Sequence, residues 1–140
     1  MMTPDRLAVE LTRRLDGPHA DEHTTGAANL AAEAVRFLNY ATGPHSSAGL
    51  RDPATVYMTA ANMSAAASGL PQLFGQLTRW LETELAAGHL ACDNGTPPAI
   101  TVEAAAGRLA EATRLAERLG AGLAALQSVI SDLNGRGDTR

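Results

Sequence analysis

Two short stretches hold side chains able to do chemistry. "HADEH", His19 to His23, sets two imidazoles four residues apart with Asp21 and Glu22 between them. On one face of a helix such a pair could share a zinc ion, with a carboxylate as a further ligand. Gly17-Pro18 before it and Thr24-Thr25-Gly26 after it argue for a loop instead. The zinc-protease pattern also needs Glu directly after the first His, and this chain has Ala20 there. The second stretch, "GHLACDNG", spaces His89 and the lone Cys92 as two metal ligands or as a base and a nucleophile. A tetrahedral site would need His45 or the His19/His23 loop to converge on them. A nucleophilic Cys needs a family signature around it, and these residues match none. With no phosphate-cradling glycine loop and no paired carboxylates on one helix face, the expectation is a chain without catalytic residues, metal or cofactor.

The elements that carry these stretches are helical. The 140 residues suit one domain with a single core. Hydrophobic residues make up 45% but aromatics only 4%, so Ala dominates, which favours closely packed helices over sheets. All eleven basic residues are Arg, and the net charge of −4 is spread along the chain. Residues 1–25 and 26–100 each carry three Arg against five acids, and 101–140 carry five against five. No segment makes the concentrated basic field of a nucleic-acid binder. One cysteine excludes an internal disulfide framework, and neither a signal segment nor a membrane-length apolar run is present. The expectation is a soluble, cytoplasmic protein without membrane contact. The sequon Asn62-Met63-Ser64 and the tripeptide Arg136-Gly137-Asp138 are read as chance.

Punctuation divides the chain into a short N-terminal helix with a polar loop (1–25), a helical bundle (26–135) and a polar tail (136–140). Thr3 and Pro4 open the short helix, which carries Leu7, Leu11 and Leu15. The first main helix spans about 26–42, with Leu30, Ala34, Phe37, Leu38 and Ala41 along one side. Asp52 and Pro53 cap and start the next, about 53–68, a slender Ala- and Ser-rich segment. Gly69 and Pro71 then end it and begin a third, about 71–87. That helix turns Leu73, Phe74, Leu77, Trp80, Leu81 and Leu85 towards the small residues before the turn. After a loop over 88–100, Thr101 caps the last helix, which runs to Asn134-Gly135. The fold expected is all-α, four main helices plus the short N-terminal one.

The last helix raises a question of its own. Val102, Ala105, Leu109, Ala112, Ala116, Leu119, Leu123, Leu126, Ile130 and Leu133 alternate in steps of three and four, a heptad seam. Gly120 and Gly122 flank that seam, although Gly inside a helix costs about 1 kcal/mol relative to Ala. The heptad phase runs through both glycines unbroken, so the helix is expected to be continuous, with the glycines admitting a neighbouring helix closely. At roughly 50 Å, a helix of about 34 residues outreaches the others at about 25 Å each. Part of its apolar side then waits for short helices stacked end to end or for a second copy of the chain. A homodimer is the expectation, with Ala116, Leu119, Gly120, Gly122, Leu123, Leu126, Ile130 and Leu133 as its interface residues.

The phrases "AAEAVRFLNYATG" and "LPQLFGQLTRWL", with the final Ala/Leu/Arg helix, resemble small helical proteins of high-GC actinobacteria, some carried by plasmids or integrative mobile elements. That resemblance spans about 26–134 and implies no activity and no functional residues. The function expected is non-catalytic: a structural, adaptor or regulatory protein acting by association with itself or another protein. One alternative is a helix-turn-helix DNA-binding regulator, with Gln72, Gln76 and Arg79 after the Gly69-Leu70-Pro71 turn. Another is a metal-dependent enzyme using the His-bearing loops.

Overall fold

The computed structural model describes Val9, residues 19–44 and residues 49–134, and among them there is helix and no strand. The chain divides into two units, Met1–Arg51 and Asp52–Arg140. The described residues hold three helices: α1 (Asp21–Ala41) in the first unit, α2 (Pro53–Ala86) and α3 (Pro98–Ile130) in the second. The expected N-terminal helix lies, apart from Val9, outside the described residues, as does the tail with Arg136-Gly137-Asp138.

α1 begins five residues earlier than its apolar pattern suggests, so most of "HADEH" is helical. Ala20, the residue before the first turn, has no side chain with which to cap it. His23 performs half of that task, accepting the Ala20 backbone N–H on Nδ1 at 3.0 Å. Asp21 and Glu22 then lie where the positive end of the helix dipole favours carboxylates. The helix stops where the Thr42 N–H bonds back to the Leu38 carbonyl. No residue of α1 is buried; Phe37 and Tyr40 on its flank are 71% and 84% exposed.

α2 and α3 form an antiparallel hairpin. Asp52 caps α2 as expected, its Oδ1 accepting the Ala54 N–H at 2.8 Å, with Pro53 in the first turn. The two helices expected over 53–68 and 71–87 are in fact one helix of 34 residues, running through Gly69 and Pro71. Proline removes the bond to the Ala67 carbonyl and is disfavoured by about 3 kcal/mol inside a helix. Packing outweighs that cost. Ala60 and Ala67 are buried before Pro71, and Phe74, Thr78, Leu81 and Leu85 continue the same half-buried row after it. Without a turn at Gly69-Leu70-Pro71 the expected helix-turn-helix is not formed there, and the large residues after Pro71 do not fold back onto the small ones before it.

α2 ends in a Schellman motif. Gly88 adopts φ 75°, its N–H bonds the Leu85 carbonyl, and the His89 N–H reaches that of Glu84, both at 3.0 Å. Gly95, φ 76°, closes a turn onto the Cys92 carbonyl. α3 starts at Pro98, three residues before the expected cap Thr101, because Pro98 supplies a preset φ and lacks the N–H that a first turn leaves unpaired. It passes through Gly120 and Gly122 without a break, as expected. At 33 residues it is matched end to end by α2, so the expected mismatch in length does not exist.

The residues buried between α2 and α3 are small: Ala60 and Ala67 on α2, and Val102, Ala116 and Gly120 on α3. Gly120 sits at the closest approach. A Cβ built there would lie 3.3 Å from Ser68 Oγ, 3.7 Å from Ala67 Cβ and 3.8 Å from the Ser64 carbonyl oxygen. Ser64 Oγ donates to the Gly120 carbonyl at 3.1 Å, joining the two helices across the seam.

Candidate functional site

The inward row of α3 departs from the strict heptad. An α-helix of about 3.6 residues per turn drifts roughly 20° per heptad against a 3.5 repeat. By the second half of α3, Gly120 and the half-buried Gln127 have replaced Leu119 and Leu126 on the side facing α2. The expected interface residues therefore fall into two rows. Ala116 and Gly120 are buried against α2, and Leu123 and Ile130 are half-buried on the same side. Leu119, Gly122, Leu126 and Leu133 are exposed, on a second row that Leu115 and Val129 complete. The row itself holds no charged residue, and Arg118, three residues after Leu115 and four before Gly122, borders it.

α2 carries an equivalent row. Leu73, Leu77 and Trp80, spaced by four and three, are 42%, 42% and 59% exposed. They lie on one flank of the helix, and Gly75, Arg79 and Glu82 lie on the other. That second flank meets Ala106, Ala110 and Arg114 of α3 in an open groove of about 560 Å³ floored by Phe74 and Leu109. In an antiparallel pair, flanks that share a groove share a face, so the two leucine rows together occupy the opposite face. Leu73, Leu77 and Trp80 sit in the C-terminal half of α2, and the exposed row sits in the C-terminal half of α3. The apolar surface thus forms one oblique band, from Trp80 at one end of the hairpin to Leu133 at the other. Polar contacts mark its Trp80 end: a hydrogen bond between His89 Nδ1 and Glu84 Oε2 at 2.8 Å, and the Arg108–Glu111 ion pair at 3.6 Å.

The sequence places Leu73, Leu77 and Trp80 with Phe74, Leu81 and Leu85 on one inward face. The signal separating them was present: 73, 77 and 80 are a row of their own, turned away from 74, 78, 81 and 85. The groove and its two guanidiniums were not anticipated, because they depend on which flanks of α2 and α3 meet.

The chemistry-bearing stretches contribute no residue to the band. His19 precedes α1 and meets His23 edge-on at 6.1 Å between ring centroids, while His23 Nδ1 is occupied by the Ala20 N–H. Cys92 Sγ lies 3.4 Å from Thr101 Oγ1, and His89 is held by Glu84. His45 lies outside the described residues. Among the described residues no three His, Cys, Asp or Glu side chains come together as a metal site, and no helix is long and apolar enough to cross a membrane. The chain matches no known family model, no curated protein and no solved structure.

Proposed function

We propose that this chain is a non-catalytic cytoplasmic association protein, structural, adaptor or regulatory, and that the oblique band on the α2/α3 hairpin is its binding surface. The observation that carries the reading is the uncharged row of Leu115, Leu119, Leu126, Val129 and Leu133 beside Leu73, Leu77 and Trp80, all exposed. Isolated exposed apolar residues are ordinary, but a contiguous patch of several hundred Å² marks an interaction site.

A photo-crosslinking residue in place of Leu126 tests this in cells. The expected result is an adduct of one discrete mass, absent when the same group replaces Arg114 on the groove side. No adduct at Leu126, or equal adducts at both positions, contradicts the reading.

A further inference from the structure

We infer that the occupant of the band is a second copy of this chain, the two hairpins crossing at Leu119 and Gly122 to form a four-helix bundle. This rests on the association reading above and commits it to one partner.

Three observations lead there. The first is area. Eight large apolar residues, from Leu126 at 38% to Val129 at 79% exposed, line the band, a patch of several hundred Å², on the scale of what each partner contributes to an interface of standard size. The second is shape. The band shifts sideways by one helix spacing, about 10 Å, over roughly 40 Å of length, so it leans about 14° from the hairpin axis. A two-fold axis lying along the band superimposes it on its own copy and crosses the hairpins at twice the lean, about 28°. The direction of lean gives the left-handed sense, and the angle lies within the scatter of about 15–20° around the crossing of helical bundles. Crossings parallel to the hairpin axis would instead lay the Trp80 end of one copy on polar surface of the other.

The third observation is Gly122. A Cβ added there would meet nothing within 4 Å in this chain, as at Gly69, Gly75 and Gly107, but of these helical glycines Gly122 alone lies within the leucine row. It lies between Leu119 and Leu126 near the midpoint of the band. Removing the side chain at that point lets the helix axes approach, as Gly120 does against α2.

Sedimentation equilibrium on the full chain at micromolar concentration tests the proposal. The wild type should show twice the protomer mass, and Gly122→Leu should weaken association at least tenfold with helicity unchanged. With Cys92 replaced by Ser, Leu119→Cys should link two copies by a disulfide under mild oxidation, and Glu117→Cys on the far side should not. A single-protomer mass across the range, or equal linking at both positions, overturns the inference. A monomer whose Leu126 cross-links to a different polypeptide overturns it and leaves the association reading standing. A monomer with Trp80 shielded means that the chain covers its own band, and both readings fall.

Discussion

Gly120→Leu is expected to destabilise the α2/α3 hairpin by about 2–3 kcal/mol, read as a lower urea midpoint with an unchanged slope. A Cβ at that position already lies 3.3 Å from Ser68 Oγ and 3.7 Å from Ala67 Cβ, and Ala67 is only 2% exposed. The remaining three carbons of a leucine have nowhere to go without separating the helices. Separation also breaks the Ser64 bond to the Gly120 carbonyl, worth about 1 kcal/mol. Gly120→Ala should change stability by less than about 1 kcal/mol. Its methyl displaces only the Ser68 hydroxyl, and the gain in helix propensity offsets that loss. A leucine tolerated as well as an alanine would mean that the helices do not meet at Gly120.

Pro71→Ala is expected to act in the opposite direction. Restoring an N–H at 71 returns a donor to the Ala67 carbonyl and removes the clash of the ring with the preceding turn, a change of about 3 kcal/mol in a helix interior. Proline also stiffens the unfolded chain, which offsets about 0.4–1 kcal/mol of the gain. The net expectation is about 2 kcal/mol of added stability, or roughly 10 °C in the thermal midpoint of a unit this size. A lower midpoint would show that α2 needs the proline, as a turn between two helices would.

These two positions also show which parts of the fold the sequence announces. Asp52-Pro53 and Gly88 mark the ends of α2 by local chemistry, a cap and a positive φ, and both are where the spacing puts them. Continuity through Gly120 and Gly122 was legible because the apolar phase never shifts. Pro71 misleads because its penalty is local while the compensation is not: the row from Ala60 to Leu85 is repaid only by a partner helix some fifty residues further along the chain. The start of α1 was hidden for a related reason, since Ala20 cannot cap a helix and the group that does so is an imidazole three residues later.

The site was half legible. The heptad identifies the apolar residues of α3 but not the side each one faces. A drift of 20° per heptad, immaterial over two turns, separates Gly120 from Leu119 and Gln127 from Leu126 by the end of the helix. Leu119, Leu126 and Leu133 are therefore surface rather than seam. The case for a partner moves with them, from a helix too long for its neighbours to a helix whose second apolar row has no cover within the hairpin.

Trp80 is the only tryptophan in the chain and sits at one end of that band, 59% exposed in the single protomer. Its emission maximum and its quenching by acrylamide, followed from micromolar to nanomolar protein, report directly on whether the band is covered. Coverage predicts a blue-shifted, shielded indole at high concentration that becomes red-shifted and accessible on dilution. An indole open to the quencher at every concentration would contradict the account.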